Sequence, residues 1–132
     1  MNPDIFVKMK AKPQMTMKVY NPPASYPKPA EYDWDSKEPY DFIQVFAESQ
    51  LQFRSRFRKA ARRIKDDGLL CVSYPKSTPT DYYDINRDIL WDILLTTGFH
   101  PVAQIALDDH WTAMRVEKNI LGQIYDRPNR KK

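Results

Sequence analysis

The sequence predicts an α/β fold in which a mostly parallel sheet ends in an antiparallel hairpin, and three observations carry that reading. Residues 40–47 and 68–74 are short, nearly unbroken apolar runs, as strands buried on both faces require. Each run is followed by a stretch of helical period, and strand-helix-strand-helix order implies parallel strands joined by right-handed crossovers. Residues 100–107 and 111–117 then flank Asp108-Asp109 as the arms of a hairpin.

The first 13 residues read as an arm with a short strand at Ile5-Phe6-Val7, and residues 14–118 as a single α/β domain. A first strand is expected at 15–20, stopped by Asn21-Pro22-Pro23. From there to Pro39 the chain is rich in proline and tyrosine and lacks glycine or a helical period, so it must run extended. So long a connection in a compact domain implies a short edge strand at 31–34.

After the strand at 40–47, Ser49 is placed to cap a helix, with Gln52 in the reciprocal position of a capping box. The helix at 50–65 sets Phe53, Phe57, Ala60, Ala61 and Ile64 on one stripe, and Asp66-Asp67-Gly68 ends it. Pro75 and Pro79 break the next strand. The second helix, at 84–95, carries three apolar stripes, through Ile85, through Leu90 and through Trp91, and closes at Gly98 as a left-handed cap. A helix apolar around most of its girth needs more than one covering surface, which predicts self-association through residues 84–95. Residues 119–132 read as a basic tail.

At 132 residues the chain holds one domain with a core and no second enzyme lobe. An apolar share of 42% excludes disorder of the whole, and a net charge of +4 permits contact with phosphates without demanding it. The single cysteine, Cys71, falls in a predicted buried strand and leaves no internal disulfide. Residues 1–8 lack the apolar core of a signal peptide, and no run reaches membrane-spanning length. A cytoplasmic setting without membrane contact is therefore expected.

From residue 40 onward the chain resembles the carboxyl half of a class I methyltransferase, a Rossmann-like fold. Tyr40-Asp41-Phe42-Ile43 is similar to that fold's fourth-strand segment, residues 67–73 to its fifth, and Thr97-Gly98-Phe99 to the turn before its final hairpin. Residues 68–76, Thr80-Asp81, Ile85-Asn86-Arg87-Asp88 and residues 108–115 with Trp111 resemble a bacterial family of short domains of unknown function that share a Tyr-Pro-Lys loop. The resemblance implies a small methyltransferase-like sheet more than an activity. Methyltransferases of this class seat S-adenosylmethionine on a glycine-rich turn after the first strand, where glycine lets the backbone approach closely. Here Asn21-Pro22-Pro23 stands in that place, and Gly68, Gly98 and Gly122 lie elsewhere. No cofactor and no ordinary methyltransferase activity are expected.

Ligands of parallel sheets collect at the carboxyl ends of the strands. Tyr74, Lys76, Asp81, Asp108 and Trp111 would share that edge if the strand from His100 runs parallel to its predecessors, and they are the ligand-binding candidates. Lys76 stands beside Ser77, Thr78 and Thr80, ready for an anion, the alternative being an ion pair with Asp81, Asp84 or Asp108. Trp111 is alternatively a core residue. Arg54, Arg58, Arg62 and Lys65, on the polar face of the first long helix, are the nucleic-acid candidates, against the reading of a solvated outer face.

Other motifs fall away. Ser73 and Lys76 have a nucleophile-and-base spacing, but in a strand they point to opposite faces. His100 and His110 flank a strand with no third soft ligand, so no metal site is assigned. Asn21-Pro22-Pro23-Ala24 is similar to the base-holding loop of adenine methyltransferases, but its aromatic is displaced to Tyr26 and the loop follows the first strand, so it reads as a rigid terminator. No catalytic residue is assigned. The leading expectation is a non-catalytic binding or interaction domain. The alternatives are a small-molecule-binding enzyme on a degenerate methyltransferase-like fold, and nucleic-acid binding through the basic helix.

Overall fold

A computed structural model describes residues 1–118, so the basic tail expected at 119–132 lies outside the described residues. The elements follow as α1 (Ile5–Lys8), β1 (Met17–Tyr20), β2 (Tyr40–Phe46), α2 (Gln50–Arg63), β3 (Ile64–Pro75), α3 (Arg87–Leu95), β4 (Phe99–Ala106) and β5 (Trp111–Lys118). They form one five-stranded sheet in the order β1-β2-β3-β5-β4. β1, β2 and β3 are parallel, with Met17 opposite Phe42 and Val45 opposite Val72. β5 pairs antiparallel with both β3 and β4. Two antiparallel steps make β4 parallel to β3, so the turn after β4 emerges at the same edge as the end of β3.

Alternation along the strands divides the interior into two cores. Ile43, Val45, Leu70, Val72, Tyr74, Met114 and Val116 face α2 and α3, where Phe53, Phe57, Leu90 and Leu94 are buried against them. Phe42, Phe46, Cys71 and Ala113 face the other way. That second face is closed by α1 and the extended segment, through Ile5, Phe6, Met9 and Tyr32.

The N-terminal arm differs from expectation in two respects. Ile5–Lys8 is a helical turn rather than a strand, and Ile5, Phe6 and Met9 are no more than 1% exposed, so the arm belongs to the core. The apolar face of a sheet must be covered by something, and among the described residues the first 34 supply that cover. The edge strand expected at 31–34 is a single parallel bridge from Asp33 to Thr16.

Ser49 caps α2 as expected, accepting from the Gln52 backbone N–H, while the Gln52 side chain reaches one residue further back, to the N–H of Glu48 at 2.8 Å. The helix passes into β3 without a turn. Ile64 opposes Tyr40 and Leu69 opposes Phe42, so Asp66-Asp67-Gly68 forms a wide irregularity inside a strand instead of a terminator. A Cβ on Gly68 would sit 2.7 Å from Ile64 Cδ1 and 3.0 Å from the Lys65 carbonyl. Gly68→Ala is expected to destabilise the protein by about 1–3 kcal/mol, the range for overpacking, as read by chemical denaturation.

α3 begins at Arg87, three residues later than expected, because Asn86 supplies the cap by accepting from the Ile89 N–H. Gly98, at φ +82°, takes the left-handed turn that the sequence assigned to it. The chain itself covers much of α3: Ile85, Leu90 and Leu94 are fully buried, and Ile89, Trp91 and Leu95 are half-buried.

Candidate functional site

The carboxyl edge of the sheet is stitched by its own loops. The Lys76 N–H donates to the His110 carbonyl at 2.8 Å, and its ammonium donates to the Asp108 carbonyl at 3.0 Å. Lys76 thus holds a main-chain oxygen rather than the carboxylates of Asp81, Asp84 or Asp108. The Asp108 carboxylate accepts from the backbone N–H groups of His110 and Trp111 and fixes the turn. Asp81 closes the loop after β3, exchanging bonds with Thr78.

The five strand-end candidates do not line one crevice. Tyr74 is 3% exposed on the helix-covered face, where its hydroxyl accepts from Gln104 Nε2 at 3.0 Å. Burial pushes its phenol up to about 12, with Arg87 opposing and Asp88 adding to the rise. Trp111 lies on the opposite face, edge-on to Phe46 with ring centroids 5.0 Å apart. Tyr26 packs on the same Phe46 ring at 5.4 Å. Lys76 and Asp81 remain exposed, and Asp108 is half-buried in the turn after β4.

Beneath Tyr26 runs a buried polar relay. Tyr26 Oη donates to Gln44 Oε1 at 2.8 Å, and Gln44 Nε2 donates to Ser73 Oγ at 2.9 Å. Gln44 and Ser73 are fully buried, and neighbouring Cys71 is equally enclosed, so burial pushes its thiol up to about 12 against the pull of Arg115. At that value the thiol stays protonated near neutrality, as an inert packing group.

The basic candidates on α2 and at the start of β3 separate into committed and uncommitted groups. Lys65 bonds Asp41 Oδ1 at 2.7 Å, and Arg56 donates to the Phe46 carbonyl at 2.7 Å. Arg63 pairs with Glu38 at 2.9 Å and donates to the Tyr20 hydroxyl at 3.2 Å. Arg54, Arg58 and Arg62 are exposed and make no ion pair among the described residues. They border a cavity of about 340 Å³ whose apolar side is Phe53, Phe57 and Ala61 and whose far rim is Thr97. The sequence identified these three arginines, and the structure leaves them open while it withdraws Lys65.

Asp41 anchors the start of β2 more firmly than its sequence position suggests. Burial raises its carboxyl, but the bond from Lys65 and two bonds from Thr16 outweigh that and hold it below the usual carboxylate range. A depressed carboxyl contributes stability at neutral pH that is lost as pH falls below about 4, through the folded value. Asp41→Asn is expected to cost about 1 kcal/mol at pH 7, discounted because the Lys65 side chain is 40% exposed, and to flatten the acid limb of a stability-pH curve.

A set of cations escaped sequence reasoning. Lys18, Lys37 and Lys59, with Arg63, border a second groove of about 590 Å³ beside β1. They come from three separate segments, and no local spacing joins them. Among the described residues, no group of three or more His, Cys, Asp or Glu side chains is placed to hold a metal ion, and no helix is long and apolar enough to cross a membrane.

No family model matches the chain and no curated protein is similar to it in sequence. Solved structures are similar in fold. LepI in complex with SAM aligns at TM-score 0.52 and 10% identity over 86% of this chain and 39% of its own. The N-methyltransferase NodS from Bradyrhizobium japonicum WM9 aligns at TM-score 0.49 and 10% identity, over 80% of this chain and 87% of its own. The ribosomal protein L11 methylase from Lactobacillus delbrueckii subsp. bulgaricus aligns at TM-score 0.43 and 13% identity, over 65% and 39%. The chain spans about two-fifths of the length of LepI and of the L11 methylase. With parallel β1 to β3 followed by the antiparallel β5 and β4, it has a mixed α/β, methyltransferase-like fold.

Proposed function

We propose that this chain is a non-catalytic binding domain that engages the phosphate backbone of nucleic acid through the outer face of α2. The observation that carries the proposal is the file of Arg54, Arg58 and Arg62, one helical turn apart, exposed and without carboxylate partners among the described residues. A rise of about 1.5 Å per residue spaces successive guanidinium stems by about 6 Å along the axis, so the file presents repeated charge to a repeating polyanion. Phe53 and Phe57 are buried beneath the file, so no ring stands out to stack on bases, and backbone contact without sequence readout is the expected mode.

The non-catalytic part of the reading rests on the carboxyl edge, where ligands of parallel sheets collect: here Tyr26 and Trp111 pack onto Phe46, and Lys76 ties its loops together. A salt titration tests the nucleic-acid reading. With three uncommitted arginines in the file, the slope of log affinity against log salt on duplex DNA should be about −3. Arg58→Glu with Arg62→Glu should weaken binding equally for unrelated sequences and make the slope shallower by about 2. An affinity indifferent to salt, or unchanged by the double reversal, overturns the proposal.

A further inference from the structure

We propose that the groove beside β1 is a separate site for a nucleoside polyphosphate, its phosphates held among Lys18, Lys37 and Lys59 and its base against the ring of Tyr40. The groove, of about 590 Å³, has walls from β1, the start of β2, residues 37–38 and the flank of α2 that carries Lys59. Its volume falls within the range of about 300–1,000 Å³ typical of organic ligands, more than phosphate alone would fill.

Charge decides the ligand class. The three lysines are exposed and have no ion-pair partner among the described residues. The one carboxylate in the lining, Glu38, is spent on Arg63 at 2.9 Å. Three ammonium groups around one groove repel one another, and a single multivalent anion relieves all three pairs at once, which a monovalent one does not. Ammonium groups act as point charges with rotatable donors, suited to phosphate oxygens arriving from several directions, whereas a carboxylate is better matched by the planar fork of an arginine. Here the arginine of the groove is already engaged: Arg63 also donates to the Tyr20 hydroxyl, so it serves as a fixed wall.

The rings decide what the phosphates carry. The face of Tyr20 is occupied by the Lys18 ammonium, 5.5 Å from its centroid. Tyr40 is half-buried, packed in part against the helix-covered core, and borders the groove with no ring partner among the described residues, so its remaining exposed part offers a surface for a planar base. The site differs from the arginine file in its residues, in its flank of α2 and in the size of its ligand.

Calorimetric titration of the full chain with ADP, pyrophosphate and adenosine at physiological salt tests the assignment. ADP should bind about tenfold more tightly than pyrophosphate, from stacking on one ring, and adenosine should give no saturable heat. Lys18→Ala with Lys37→Ala should weaken both phosphate ligands by about tenfold or more, through loss of two charge-assisted contacts. Both lysines are exposed, and an unchanged circular dichroism spectrum shows that the variant is folded. Tyr40→Leu should bring ADP down to the affinity of pyrophosphate. Arg58→Ala with Arg62→Ala should leave ADP binding unchanged while it weakens DNA binding, so the two sites stand or fall separately. No binding of ADP at millimolar concentration, equal affinities for ADP and pyrophosphate, or ADP affinity that follows the arginines rather than the lysines overturns the proposal.

Discussion

Phe6→Ala is expected to destabilise the protein by about 3–5 kcal/mol, the cost of emptying a fully buried aromatic site. The Phe6 ring has no exposed surface and lies among four others: Tyr32 at 5.2 Å, Tyr26 at 5.7 Å, Trp34 at 5.8 Å and Phe42 at 6.1 Å between centroids. The alanine void cannot close easily, since three of those rings are held elsewhere. Trp34 Nε1 donates to the Pro29 carbonyl, Tyr26 Oη donates to Gln44, and Phe42 sits in the middle of β2. The loss should appear as a lowered denaturation midpoint. A variant within 1 kcal/mol of the parent would mean that the arm contributes little to stability and that the second face of the sheet is closed by something else.

Gln44→Leu should cost about 2–4 kcal/mol, because it leaves two hydrogen-bonding groups, the Tyr26 hydroxyl and Ser73 Oγ, without their partner. Polarity, not volume, is the cause. Adding Tyr26→Phe and Ser73→Ala to Gln44→Leu removes the stranded groups along with the amide, and the triple variant should recover most of the loss. If the triple variant is no more stable than the single one, packing around Gln44 sets the cost and the relay contributes little. Thermal denaturation of the parent, the single variant and the triple variant separates these outcomes.

Much of the sheet was legible because burial on both faces leaves a strong mark. The runs at 40–47 and 68–74 could hardly be anything but interior strands, and their parallel pairing, Val45 opposite Val72, follows from the helix between them. The stripe of Phe53, Phe57 and Ala60 announced α2 just as directly. What stayed hidden has physical reasons. A four-residue helix such as α1 is too short to display a period. Asp66-Asp67-Gly68 has the composition of a turn, and only the register with β2 shows it to be an irregularity within a strand. The separation of Tyr74 from Trp111 depends on pairing as well: Pro75 opposes Trp111 and Tyr74 opposes Thr112, and alternation then sends the two rings to opposite faces. The lysines beside β1 meet only through tertiary structure.

The outermost strand carries a consequence for the behaviour of the protein in concentrated solution. Among the described residues, β1 pairs on one side with β2 and on the other is met only near its start, by Asp33. An unprotected rim of this kind invites accretion of another chain's backbone. Here it is four residues long, it carries Lys18 at its centre, and the cations of the neighbouring groove repel an approaching copy of the same rim. Brevity and charge together keep β1 from serving as a template for another chain.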